Sequence, residues 1–245
     1  MVVIIHMPKV SKEYLENKRK IILDAAYRVF TKKPAYNVSM KDIVKESKLS
    51  QGGVYKYFAN IDEIISAILN VRKLDIDPAD ILKEYNHKPE KAIFELLESL
   101  KEFFFAPTEK IGKILFELHV VFLNDKKRMN IFSNSVNEPI TLNYWLKELF
   151  LFIDRKIEEN YFNPIIDIKD IYMQIIVTLR GIGTELIITK NYNMKPKIYY
   201  YKSNEISSLD VRLDNLLDGL YKTILFLLGY DNNKINSILK DVRDS

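Results

Sequence analysis

Cysteine is absent from the 245 residues of this chain. Without it there is no disulfide framework, no thiolate nucleophile and no thiolate metal site. Glycine and proline are scarce, at 7 and 8 residues, which leaves few turns for a many-stranded sheet and favours long uninterrupted helices. The three histidines, His6, His87 and His119, stand at no metal-ligand spacing. There is no nucleophile elbow, P-loop or dinucleotide fingerprint; Arg180-Gly181-Ile182-Gly183 lacks a third glycine and sits inside a helical pattern. The expectation is a chain with no catalytic residue, no cofactor and no metal, not an enzyme. No unbroken apolar run approaches the roughly 18 residues that cross a bilayer. The opening Met1-Val2-Val3-Ile4-Ile5 is short and lacks the positive flank of a signal peptide. A cytoplasmic protein without membrane contact is therefore expected.

Hydrophobic residues make up 47% and charged residues 29%, the composition of a folded chain with a sizeable core. The formal charge of +4 is unevenly placed. Residues 1–60 carry 12 Lys and Arg against 5 Asp and Glu, a net of +7, which leaves −3 for the remainder. A basic front and a mildly acidic back is the electrostatic footprint of a chain with one end turned towards phosphate, although a solvated basic surface gives the same balance.

Apolar spacing organises the front into helices. Ile22, Ala25, Ala26, Val29 and Phe30 form one stripe over Lys12–Lys32, which Pro34 ends. Ser39 reads as the cap of a helix over 40–47, with Asp42 completing a capping box. Lys48-Leu49 make a tight turn, and Ser50 caps a short helix over 51–57. Asn60 caps the next helix, with Ile61, Ile64, Ile65, Ile68 and Leu69. Two short helices joined by about three residues behind a longer one make a helix-turn-helix. Lys9 and Lys12, before the first helix, read as a basic arm or as a disordered tail. Further helices are expected near 78–86, 89–105, 109–124, 138–161, 168–190 and 207–229, and 191–204 is the longest connection.

The residues from Ser39 to Phe58, SMKDIVKESKLSQGGVYKYF, resemble the signature of the TetR family of transcriptional regulators. A hydroxyl residue opens the second helix, and a turn, Ser-x-Gly, an apolar residue, Tyr-x-Tyr and Phe follow. The resemblance covers roughly residues 15–70. It implies an all-α fold with an N-terminal helix-turn-helix, residues 1–60, and a C-terminal ligand-binding and dimerisation domain, residues 61–245. It also implies a repressor that binds double-stranded DNA as a homodimer and leaves a pseudo-palindromic operator when a small ligand binds. The residues fit that role. Ser50 leaves the free N–H groups of its helix facing a phosphate, and Gly52 lets the backbone approach DNA. Tyr55 and Tyr57 offer hydroxyls to phosphate, and Gln51 and Lys56 reach base edges or backbone. Ser39 and Lys41 complete the expected interface. Gly53 departs from the family pattern, which has Thr or Ser there; its loss shifts specificity towards Gln51, Lys56, Lys41 and DNA shape.

Two later stripes are long. Leu209, Leu213, Leu216, Leu220, Ile224 and Leu227 line one helix, and Ile171, Ile175, Leu179, Ile182 and Leu186 line the other. The family pairs these helices across a two-fold axis, so Ile175, Leu179, Ile182, Leu213, Leu216, Leu220 and Ile224 are candidate dimer residues; the alternative is that both stripes are internal core. Aromatic residues crowd the middle, and Phe104, Phe116, His119, Phe122 and Trp145 are candidates for a ligand site. His119 reads as a polar handle or as a satisfied core histidine. A small apolar ligand such as an acyl-CoA suits this interior. Aromatic cations, to which Glu117 and Glu148 would answer, and control by a protein partner without any ligand are the alternatives.

Overall fold

The computed structural model describes residues 11–71, 76–105, 109–137, 141–199, 206–208 and 210–243. Its helices are α1 (Lys12–Lys32), α2 (Met40–Ser47), α3 (Gln51–Tyr55), α4 (Ile61–Val71), α5 (Pro78–Glu84) and α6 (Pro89–Phe105). They continue with α7 (Glu109–Leu123), α8 (Lys126–Ser135), α9 (Leu142–Glu158), α10 (Ile168–Tyr192), α11 (Leu213–Leu227) and α12 (Asn232–Arg243). The all-α expectation holds, with one small addition: β1 (Lys197–Tyr199) pairs antiparallel with β2 (Ile206–Ser208) inside the connection between α10 and α11.

Two compact units divide the chain. The first comprises Met1–Arg72 together with Glu117–Val136, and the second Lys73–Phe116 with Asn137–Ser245. This differs from the expected cut at residue 60. The physical reason is that α4 and α8 pack on one another and on the same side of the division.

In the first unit the stripe of α1 is buried as its spacing predicts: Ile22, Ala25, Ala26, Val29 and Phe30 all lie in the interior. Ile22, Val29 and Phe30 each contribute roughly 1.5–3 kcal/mol through burial, and each alanine methyl about 0.8 kcal/mol. Ser11 opens α1 by accepting the Tyr14 N–H at 3.1 Å, and α1 packs against α2 and α4. Ile43, Val54, Phe58, Ile64 and Ile65 complete the interior of this small bundle.

The second unit has one continuous core. Leu96, Leu97 and Leu100 of α6 share one cluster with Trp145, Leu149 and Phe152 of α9, Ile175 and Leu179 of α10, and Leu220 and Ile224 of α11. At 25 residues, α10 is long and apolar enough to span a bilayer by length and composition. One face of it is packed, with Ile171, Ile175, Leu179, Ile182 and Leu186 buried against neighbouring helices, while Met173 and Val177 stay exposed and 28% of its apolar window is buried. Glu90, in the first turn of α6, gathers three tyrosines. Tyr230 donates to its carboxylate at 2.6 Å, Tyr161 at 2.8 Å and Tyr221 to its backbone carbonyl at 3.0 Å. Burial and the Glu90 charge push the Tyr161 hydroxyl up to about 12.

Candidate nucleic-acid interface

The interface is built on caps. The Ser39 N–H donates to Asp42 Oδ2 at 2.8 Å and the Ser39 hydroxyl to the same oxygen at 2.6 Å, while the Asp42 N–H reaches back to Ser39 Oγ at 3.4 Å. This is the expected capping box. Lys33 Nζ lies 2.6 Å from Asp42 Oδ2. The Lys33 ammonium, followed by the Ser39 hydrogen bonds, lowers the Asp42 carboxyl to about 2. The Ser39 hydroxyl proton is thus committed to Asp42, and only the oxygen's second lone pair remains for any outside donor.

Between α2 and α3 the chain turns through Lys48, which adopts the left-handed conformation at φ 57°. That left-handed residue ends α2 and redirects the chain into α3. Ser50 then accepts the Gly53 N–H at 3.1 Å, capping α3 as expected. The helix ends at Tyr55, two residues short of the expected end, and Lys56 and Tyr57 follow in a turn whose N–H groups bond to Gly52 and Val54. Val54 and Phe58 are buried and anchor α3 from below, with the Arg19 guanidinium 5.3 Å from the Phe58 ring centre.

The outer surface of this segment is open. Ser39, Lys41, Ser50, Gln51, Gly52 and Lys56 are exposed, Tyr55 is 43% exposed, and Gly53 and Tyr57 are half-buried. A Cβ added at Gly52 would meet nothing within 4 Å, so internal packing does not require glycine there. At Gly53 a Cβ would come within 3.0 Å of the capping Ser50 Oγ, which relates this departure to the cap itself.

Charge is sorted across the domain. Glu46 pairs with Arg28 at 2.8 Å and Lys32 at 3.2 Å, and their hydrogen bonds hold its carboxyl below the ordinary range. Those cations are thereby compensated on the α1 side. Lys41, Lys45, Lys48 and Lys56 are exposed, and no ion pair to them is seen among the described residues. Four cations around α2 and α3 with their charge free make a local positive field suited to a phosphate backbone. Lys45 and Lys48 were not among the expected contacts, although Lys45 stands four residues after Lys41 and so shares its face. Tyr36, 60% exposed just before α2, is a further unpacked aromatic beside this surface.

The other candidate residues are more dispersed. Phe122 is buried in the first unit against Phe132, with ring centres 4.9 Å apart. His119 is exposed, which corrects the reading of it as a satisfied core histidine. Trp145 belongs to the core of the second unit, Phe116 is half-buried beside Tyr192, and the side chain of Phe104 lies outside the described residues. Glu117 accepts the Ala35 N–H at 2.6 Å, so this carboxylate is engaged with the backbone. Of the candidate dimer residues, Ile175, Leu179, Ile182, Leu213, Leu220 and Ile224 are buried in the chain's own core, and only Leu216 is exposed. Periodicity located a real stripe, but the stripe faces inward. The outward face carries Met173, Val177 and Gly181 on α10, with Leu216, Gly219 and Phe226 on α11.

Comparison with known proteins bears on the same residues. The profile described as "Bacterial regulatory proteins, tetR family" matches residues 22–68. The chain carries a tetR-family N-terminal domain. Over 74 residues it is 42% identical to the Bacillus subtilis (strain 168) protein described as "Uncharacterized HTH-type transcriptional regulator YfiR", 28% of this chain and 36% of that protein. YuxN of the same organism, described in the same terms, is 32% identical over 56 residues, 23% of this chain and 19% of that protein. The aligned part thus spans about a third of the first relative and a fifth of the second. Among solved structures, Salmonella enterica GusR superposes with a TM-score of 0.54 at 15% identity, over 91% of this chain and all of that one. NalD, the secondary repressor of the MexAB-OprM multidrug efflux pump in Pseudomonas aeruginosa, gives 0.54 at 17% identity, over 86% of this chain and 97% of that one. At such identities the likeness is one of fold alone, shared with GusR and NalD over most of the chain.

Proposed function

We propose that this chain is a dimeric DNA-binding transcriptional regulator of the repressor type. The observation that carries the reading is the capped α2–α3 pair, whose outer face holds Gln51, Tyr55 and Lys56 beside the uncompensated Lys41, Lys45 and Lys48. Phosphate contacts from Tyr55, Tyr57, Ser50 and the lysines set the register of such a helix in the major groove, and Gln51 and Lys56 read bases. A two-fold dimer places two copies of α3 about one DNA turn apart, so the operator is pseudo-palindromic. The exposed apolar residues of α10 and α11 support dimerisation. Met173 is 58% and Val177 60% exposed, and a groove of about 290 Å³ runs between Thr178 and Gly219 on this side. A Cβ at Gly181 or Gly219 would meet nothing within 4 Å, so a partner helix has room to approach closely.

The effector belongs to the same proposal: a small apolar molecule, with acyl-CoA as the first class. It acts by population shift and must bind the state in which α4 is displaced more tightly than the DNA-competent one. The aromatic content of 103–152 supports an apolar effector. Close packing about Trp145, which is 2% exposed, favours the second reading, a regulator governed by a protein partner without a small ligand. Binding of the purified chain to DNA from upstream of its own gene, titrated with acyl-CoAs of increasing length, separates the two. Release with a chain-length optimum supports the lipid effector. Tight binding that no acyl-CoA disturbs rejects that effector and retains the regulator.

A further inference from the structure

α4 is an apolar helix with a polar stripe. Ile64, Ile65, Ala67 and Leu69 are buried on it, while Asp62, Ser66 and Asn70 recur at four-residue steps. Every member of the stripe has a partner on α8. Arg128 donates from Nε to Asp62 Oδ2 at 2.6 Å and from Nη2 to Oδ1 at 2.7 Å. One turn on, Ser66 Oγ and Ser135 Oγ stand 2.5 Å apart, and the Asn70 amide donates to the Ser135 carbonyl at 2.8 Å. Behind the guanidinium lies the Phe122 ring, 5.3 Å away at its centre.

Chemistry of this kind fixes position. Two apolar helix faces tolerate a small slide, whereas a bidentate ion pair and a hydrogen bond on each of the next two turns are satisfied in one register only. The N-terminal turn of α4 is in turn tied to the recognition helix. Glu63 donates its N–H to Asn60 Oδ1 at 2.9 Å and accepts the Ala59 N–H at 2.7 Å, directly after the buried Phe58. A second hold comes from the same chain segment, since Glu117 accepts the Ala35 N–H at the start of the turn that leads into α2.

We propose that Arg128 is a positioning residue for DNA recognition: from α8 it fixes the first turn of α4 in the register that presents α3 to DNA. The proposal rests on the DNA-binding reading above. It differs from a role in folding alone because it predicts a loss confined to specific DNA.

The test uses full-length Arg128→Met, Asp62→Asn, the double variant, and Arg128→Lys, all below their melting temperatures. The probes are the duplex that the unchanged chain selects from a randomised library and an unrelated duplex of equal length. Each single variant is expected to weaken the selected duplex about tenfold, with the double variant no worse than either single. Arg128→Lys, which keeps the charge and loses the fork, falls between. Affinity for the unrelated duplex stays within about twofold, because Lys41, Lys45, Lys48 and Lys56 are untouched. Amide hydrogens of α3 and the first turn of α4 exchange faster in Arg128→Met. Single variants that stay folded and hold the selected duplex as tightly as the unchanged chain overturn the proposal, as does an equal loss on both duplexes. If the unchanged chain selects no duplex at all, the DNA-binding reading fails and this proposal fails with it.

Discussion

Affinity for DNA is expected to fall by roughly a thousandfold or more between about 50 and 200 mM salt. Each phosphate neutralised by a lysine releases condensed counterions, and about six contacts across a dimer suffice for this slope. The chain supplies them: Lys41, Lys45, Lys48 and Lys56 are exposed in each copy with their charge free. Arg28, Lys32 and Lys33 add little to the slope, because Glu46 and Asp42 already pair with them. Fluorescence anisotropy of a labelled duplex across the salt series measures this directly. A slope near zero would remove the electrostatic half of the account. Lys41→Ala and Lys45→Ala should each lower the slope by about two, one for each copy in the dimer, whatever the DNA sequence.

Gly229→Ala is expected to destabilise the second unit by about 3 kcal/mol, lowering the melting temperature by about 6–12 °C. Gly229 follows α11 at φ 102°, a conformation that side chains rarely adopt. A Cβ there would stand 2.4 Å from the Asn163 carbonyl oxygen, which is backbone and has little freedom to move. Asn163 is itself pinned, donating its N–H to the Leu228 carbonyl at 3.0 Å, and Ile165 donates to Leu227 at the same distance. Any shift of this crossing also disturbs Tyr230, the next residue, whose hydroxyl is held by Glu90 at 2.6 Å. Calorimetry on the purified variant gives the answer, and a melting temperature within a degree of the unchanged chain would contradict the strain described here.

The front of the molecule is legible in its sequence because each signal there is local. Ser39, Ser50 and Asn60 are caps whose partners lie three residues away, and the α1 stripe needs only its own spacing to be recognised. The back is legible in part. The stripes of α10 and α11 are plain in the sequence, but a stripe states that a face is covered and not what covers it. Ile175 and Val177 are equally apolar, and only the packing of neighbouring helices decides that the first is core and the second surface. Two α-helices escaped, as did the β1–β2 pair. Phe132 is the one buried residue of α8, whose ties to α4 are polar and fall 65 to 69 positions apart in the chain. On α12 the stripe Ile235, Leu239 and Val242 is real but short. Likewise nothing near Glu117 in sequence announces a backbone N–H 82 positions away.

The central claim is that α3, presented by its caps and flanked by free lysines, is a DNA-reading helix. Selection from a randomised duplex library by the full chain, repeated with Tyr55→Ala/Lys56→Ala, tests it most directly. The account predicts that the unchanged chain enriches a pseudo-palindrome with half-sites about ten base pairs apart. The doubly substituted chain, equally helical by circular dichroism, should then bind that duplex at least about a hundredfold more weakly. A library that yields no enriched sequence, or a variant that selects and binds the same duplex as tightly as the unchanged chain, would contradict it.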